Sequence, residues 1–309
     1  MHVLDLLRRK NGPADADPRS PADILKGTVG SLNKLPMMPE SATRAMAVAN
    51  DVNSSLRDFA AVIERDPALA AGILKLANSP LYRVGRTIES LDQAVLRLGL
   101  RECKNLIVAV GMRTLLRGCT PAKKAQCDLL WRHSFVTACL CRRLSRSLEL
   151  GYRGEEFSCG LAHDLGRILI AIGVPSHFDV ADPMTFREGP ELLAHEQEVL
   201  GTDHCYFGAW FANLNQLPAS LVTAIQFHHV PHEAVNHRAL VGVVATADHM
   251  ANHLQREKGA AGYDLAANPG WRFLAQSCDG GMKAKLEALA VSIMEEAADE
   301  AREVVTAGG

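Results

Sequence analysis

Apolar residues recur at helical rather than alternating spacing along most of this chain. Leu69, Ile73, Leu74 and Leu76 follow helical spacing, and no run alternates as a half-buried strand would. Start signals punctuate the pattern. Asp66-Pro67 sets a capping carboxylate before a proline at the first helical position. Ser90 with Gln93 forms a capping box ahead of Ala94, Val95 and Leu98, and Thr120-Pro121 repeats the cap-then-proline order. With aromatics at only 5%, the pattern predicts an all-α, multi-helix fold with very little sheet.

The same pattern suggests an organisation. Residues 11–22 are rich in Pro, Asp and Ala, so residues 1–24 are expected to be a flexible lead-in. A helical block is expected over 25–118, a second helical unit over 119–255 with its seam at Thr120-Pro121, and a helical extension over 256–309. In that extension Leu286, Leu289, Ile293 and Ala297 make an apolar stripe with an acidic remainder. Packing on the chain's own body is the expected use of that stripe. A partner-binding helix is the alternative.

Composition then narrows the function classes. Hydrophobic residues make up 48% of the 309, which supports a buried core. Apolar runs such as Ile168–Val174 are far too short to span a bilayer, and the N-terminus puts its charges after its apolar residues, the wrong order for a secretory signal. The expectation is a cytoplasmic protein without a membrane partner. None of the eight cysteines forms a CxxC pair, so they are expected to be reduced structural thiols. With a net charge of −2 and pairs such as Lys123-Lys124 read as solvated surface, nothing points to nucleic acid.

The chemistry lies in the second half, because apart from His2 every histidine stands at position 133 or later. His133, His163-Asp164, His204, His228-His229 and Asp248 supply five imidazoles and two carboxylates, the donor types that hold divalent metals. His133 shares a helical face with Val136, Leu140 and Leu144 and should point inward. Asp164, in GLAHDLGRILIAIG, and Asp248, in LVGVVATADHM, are acids within apolar helices. A buried carboxylate requires a partner, and a metal is one, although Arg132, Arg142 and Arg167 are others. Taken singly, each inward His has an ordinary reading as a hydrogen-bonded core residue. His228 and His229 are expected to end a helix that starts at Pro218. His177, His195, His232, His237, His249 and His253 are read as surface or supporting residues.

The order His133, His163-Asp164, His204, His228-His229, Asp248 resembles the HD phosphohydrolase superfamily and follows the ligand order of HD-GYP phosphodiesterases. LPMMPE (35–40), RDPALAAGILKLANSPLY (65–82) and TIESLDQAVLRLGL (87–100) are similar to the signature of HDOD domains. LWRHSFVTA, GLAHDLGRILIA and LGTDHCYFGAWF continue the likeness, over roughly residues 25–255. The resemblance implies a helical HDOD subdomain followed by an HD-like metal-site subdomain, in a bacterial regulatory setting. It also implies that Asp164 bridges two metals. His133, His163 and Asp248 would complete one site, and His204, His228 and His229 the other. In a metal-dependent hydrolase of this kind the pair clamps a phosphate and activates a water. Two departures stand out: VPHEAVNH follows His229 with no GYP-like segment, and Arg167 stands where the HD-GYP pattern has Lys, for which a planar guanidinium is no simple replacement.

Two functions follow. One is a regulatory, signal-transducing module with a structural or sensory metal (iron, manganese or zinc) and a protein partner. The other is a metal-dependent phosphohydrolase acting on a nucleotide-like phosphate ester, with Asp164 and Arg167 in catalytic roles. An enzyme predicts an open cleft with Arg167 or Arg132 facing it; a regulatory module predicts a closed or narrow site.

Overall fold

Caps fix the helix boundaries in the computed structural model, which describes residues 20–307 apart from 34, 36–37, 52, 80–85, 153 and 188. Ser20 and Asp23 form a reciprocal capping box, with Pro21 at the first helical position, so α1 (Pro21–Val29) begins within the stretch expected to be a lead-in. The rest of that stretch, 1–19, lies outside the described residues. The front helices are α2 (Glu40–Asn50), α3 (Leu56–Glu64), α4 (Pro67–Ala77) and α5 (Leu91–Leu115). Asp66 caps α4 by accepting from the amides of Ala68 and Leu69, and Ser90 caps α5 by accepting from Gln93 N. Within α5 the helical path breaks at Gly99, whose φ of 81° is a conformation side chains resist. Asn78 ties the end of α4 to the approach to α5, accepting from Ile88 N at 2.7 Å and donating to Ile88 O at 2.8 Å.

The back of the molecule is α6 (Lys124–Ser147), α7 (Glu155–Ala162), α8 (Leu165–Gly173), α9 (Pro175–Ala181), α10 (Pro190–Leu200), α11 (His204–Leu214), α12 (Ala219–Phe227), α13 (Arg238–Glu257), α14 (Pro269–Leu274) and α15 (Gly280–Ala307). No strand occurs among the described residues. α6 is the hub, packing on α7, α13 and α15, while α11 lies across α8 and α12. One apolar cluster runs continuously from Leu25 and Phe59 through Leu140 to Leu286. α1 packs on α10 and α11, and Asn33 N donates to the Gly173 carbonyl at the end of α8, so the N-terminal segment is stitched to the back helices.

Four expectations change here. Thr120-Pro121 starts a 3₁₀ turn over Pro121–Lys123 rather than an α-helix, and Thr120 makes no side-chain cap. That turn folds the chain back on itself and brings Cys119 to Cys127, which are joined as a disulfide rather than reduced. The other six cysteines are free and buried, as expected. Lys123, read as solvated, is buried, paired with Asp179 and 6.0 Å from the Phe178 ring centre. On α15 the buried stripe is Leu286, Ala290, Ile293, Met294, Ala297 and Ala301, and Leu289 is exposed. The stripe faces α6 and α13, held by Arg142 and Arg143 on Glu300. No helix among the described residues is long and apolar enough to cross a membrane.

Candidate metal centre

Five elements deliver the histidines and acids to one place. His133 lies on the inner face of α6 with Leu140 and Leu144, all buried. Val136, expected on that face, is half-buried. His163 and Asp164 do not sit inside one helix, as their apolar surroundings suggest. α7 ends at Ala162 and α8 begins at Leu165, and Asp164 takes φ −96° and ψ 18° between them. The break is packed rather than loose: a Cβ at Gly166 would collide with the backbone carbonyl of His204, so the missing side chain lets the start of α11 press against the start of α8. His204 opens α11 behind the Asp203 cap, and His228 terminates the helix running from Pro218, with His229 after it, as the sequence predicts. Asp248 is buried on α13.

The distances are those of a cluster. His133 Nε2 lies 3.1 Å from Asp248 Oδ1 and 3.7 Å from Asp164 Oδ2. His163 Nε2 lies 3.3 Å from Asp248 Oδ1 and 3.5 Å from Asp164 Oδ2. On the other side of Asp164, its Oδ1 is 3.5 Å from His204 Nε2 and 3.7 Å from His228 Nε2. The His228 and His229 rings are 4.3 Å apart, and the His204 and His229 rings 5.1 Å apart. All seven residues singled out in the sequence are therefore brought together. Exposure is 0% for His163, Asp164 and His204, 2% for His133 and His228, and 4% for Asp248, while His229 is half-buried.

Asp164 Oδ1 and His228 Nε2 are buried and make no hydrogen bond, 3.7 Å being too long for one. Leaving such groups unsatisfied costs on the order of 1–3 kcal/mol each. The other ring nitrogens are fixed from behind: His163 Nδ1 faces Gly160 O at 2.7 Å, and His228 Nδ1 faces Ile225 O at 2.9 Å. If those nitrogens carry the protons, both Nε2 lone pairs point inward, the arrangement a metal-ligating histidine requires. The donor set fits a divalent cation. Ligand atoms of His133, His163 and Asp248 lie within 4.8 Å of one another, as do those of His163, Asp164 and His228, and those of His204, Cys205, His228 and His229.

The packed charges shift one another's titration. Burial works against the charged form of Asp164, but His163, Arg167 and His204 hold its carboxyl well below the usual range. Asp248 is likewise held low against burial by His133 and His163. His204 and His228 are pushed up despite burial, His204 chiefly by Cys205 and Glu196, and His228 by Cys205 and Asp164. His229 is pushed well down by burial and by the neighbouring His228 and His204.

Several supporting residues are not evident from the sequence pattern. Glu196 on α10, 1% exposed, accepts from His204 N at 2.8 Å and faces His204 Nδ1 at 2.7 Å. Its signal was its position on the apolar stripe of α10, with Leu193 and Leu200. Asp182 receives Arg167 Nε at 2.8 Å and Nη2 at 3.1 Å, while Arg167 Nη1 donates to Asp164 Oδ2 at 2.8 Å. Arg167 is thus buried between two carboxylates, with Phe186 over its guanidinium and beside His133. Arg132 is exposed. It lines a cavity of about 330 Å³ between α6, α13 and α15 that reaches His133. Of the remaining histidines, His232 and His237 are exposed, and His249 and His253 both pack on Tyr263 rather than converging on a cation.

Comparison with known proteins agrees with this architecture. An HDOD domain protein of unknown function from Geobacter sulfurreducens superposes with a TM-score of 0.68 at 25% identity, covering 90% of this chain and 97% of that one. A candidate phosphohydrolase from Shewanella amazonensis superposes at 0.65 and 26% identity, covering 90% and 98%. An uncharacterised protein from Treponema pallidum is 26% identical over 73% of this chain, but the match spans only 44% of its length. YuxH of Bacillus subtilis is 36% identical over 44% of this chain and 32% of its own. The chain thus matches less than half the length of these curated relatives. The HDOD domain family model matches residues 35–231, well over half of the sequence, and the chain belongs to the HDOD family.

Proposed function

We propose that this chain is a regulatory, signal-transducing module that holds one or two divalent cations through His133, His163, Asp164, His204, His228, His229 and Asp248. The carrying observation is burial: every residue of the cluster except the half-buried His229 is buried among the helices that carry it, and Arg167, the cation nearest Asp164, is committed to Asp164 and Asp182. A module of this kind uses the cation to fix the relative positions of α6, α7, α11 and α13. It acts on a protein partner through surfaces elsewhere. Iron, manganese and zinc all suit His/Asp ligation.

A second reading, a phosphohydrolase, is favoured by one observation: the cavity at His133, with Arg132 in its lining. It is also what the Shewanella relative is named for. At about 330 Å³ the cavity is at the small end for ligand sites. It suits a small phosphate ester better than a dinucleotide. A bound divalent cation supplies Lewis-acid polarisation of a phosphoryl oxygen. On this reading Arg132 attracts the phosphate and Arg167 orients Asp164.

Metal analysis of protein prepared anaerobically with iron supplementation, beside Asp164→Ala, tests the proposal. The expected result is metal bound in the wild type and only traces in the variant, with no turnover of phosphate esters or cyclic dinucleotides above the variant's background. Trace metal in both would remove the metal from the proposal. Turnover that depends on Asp164 would replace the regulatory reading with the hydrolytic one.

A further inference from the structure

We infer that Cys205 is a metal ligand, so that the half of the centre built by His204, His228 and His229 is a mixed imidazole–thiolate site. This inference rests on the metal-centre reading and adds a donor that the His/Asp series lacks. Cys205 follows His204 in the first turn of α11, and both side chains are fully buried. Its Sγ is 3.4 Å from His204 Nε2, the nitrogen that faces Asp164 Oδ1 at 3.5 Å, and 3.9 Å from His228 Nδ1, the nitrogen turned toward Ile225 O. One ligand atom each from His204, Cys205, His228 and His229 lie within 4.8 Å of one another.

Two details separate this from a small thiol filling a gap. Around a tetrahedral cation with metal–sulfur bonds of about 2.3 Å and metal–nitrogen bonds of about 2.0 Å, the sulfur–nitrogen edge is about 3.5 Å, close to the observed 3.4 Å. The second detail is independent of the cysteine. His228 Nε2 and Asp164 Oδ1, both buried and both without a hydrogen bond, face the same space. Among the described residues no other cysteine shares a group of donors able to hold a metal ion, and burial pushes the thiols of Cys139, Cys141 and Cys159 up.

A thiolate changes what the position selects. Soft sulfur with imidazole favours zinc over the harder manganese and magnesium ions. The Asp248 side, with His133 and His163, keeps an all-nitrogen-and-oxygen set. The two halves of the cluster then differ in preference, and a mixed occupancy is the expected native state.

Cobalt(II) loading of the full chain reads this directly, because a thiolate ligand gives a sulfur-to-cobalt charge-transfer band in the near ultraviolet and imidazole or carboxylate does not. Wild-type protein should show the band. Cys205→Ser should lose it and bind cobalt at least about tenfold more weakly at that position, the low end of what removing even an outer-shell partner costs. It should retain metal on the Asp248 side. X-ray absorption at the zinc edge of the unmutated protein gives a check independent of any variant, with a sulfur scatterer expected at about 2.3 Å. Cobalt bound without the band, or a zinc edge with only light scatterers, would overturn the inference while leaving the metal centre standing. No binding of either ion would overturn both.

Discussion

Replacing Arg167 tests whether its guanidinium is a structural clamp. The side chain is 1% exposed and holds Asp164 (0%) and Asp182 (3%) through three hydrogen bonds of 2.8, 2.8 and 3.1 Å. Arg167→Ala leaves two buried carboxylates without their cation, and breaking a buried ion pair in this way costs about 3–5 kcal/mol. At roughly 2–4 °C per kcal/mol for a chain of this size, the melting midpoint should fall by about 6–20 °C. Arg167→Lys keeps the charge, but a single ammonium does not span both acids as the fork does. Its loss should be about 1.5–3 kcal/mol, the worth of a charge-assisted hydrogen bond. Denaturant unfolding of chelator-treated protein, with Asp182→Asn completing a double-mutant cycle, isolates the pair from any bound metal. Arg167→Ala unfolding within about 0.5 kcal/mol of the wild type, the range of an unremarkable surface change, would refute the clamp and return Arg167 to a ligand-facing role.

Three further outcomes follow from the same contacts. Glu196→Ala strips the acceptor from His204 N and Nδ1, so metal affinity should fall about 10–100-fold in a chelator-competition titration; unchanged affinity would show that Glu196 does not orient the ring. Gly166→Ala places a methyl against the His204 carbonyl, which should cost about 1–3 kcal/mol in denaturant unfolding and lower metal content; wild-type values for both would contradict the close approach. Asp66→Ala should cost about 1 kcal/mol as a lost cap. Because the Ser41 hydroxyl and the amides of Leu69 and Ala68 hold the Asp66 carboxyl below its usual value, that gap should be full at neutral pH. It should close as the pH falls below about 3.9, and a pH-independent gap would count against the carboxylate as the cap.

The helical class and the membership of the cluster are legible in the sequence because both rest on local pattern. Asp66 and Ser90 are caps where the sequence places them, and an acid or imidazole on an apolar helical face has few places to point but inward. What is not legible depends on contacts between distant segments. The break at His163-Asp164 is invisible in an apolar run, since it goes with α11 meeting Gly166 through His204, 38 residues further along the chain. Lys123 reads as solvated until α9 supplies Asp179 and Phe178. Leu289 and Ala290 are adjacent in sequence, and only the line along which α15 lies on α6 decides that the alanine is buried. Cys205 carries no motif at all; its meaning comes from His228, a helix away.

The net charge of the cluster gives the centre its pH dependence. Four carboxylates (Asp164, Asp182, Glu196 and Asp248) are bonded to a cluster imidazole or to Arg167, which is the one permanent cation in that set. A buried excess of negative charge is costly unless compensated. In the metal-free protein protons on imidazole provide the compensation: His204 and His228, opposed by burial but favoured by Cys205, Glu196 and Asp164, hold their protons well above the ordinary value. A cation must displace them, because a ligating imidazole is neutral. Groups whose protonated form is favoured in the apo protein therefore oppose metal at low pH and cease to do so as the pH rises. Apparent affinity should climb roughly tenfold per pH unit for each proton displaced, through and above the usual imidazole value of about 6.5. Zinc competition titrations at a series of pH values, with proton release measured by calorimetry in buffers of different ionisation enthalpy, check both sides. Affinity that is flat with pH, with no protons released, would mean that the carboxylates are neutralised in some other way and that the cluster is not awaiting a cation.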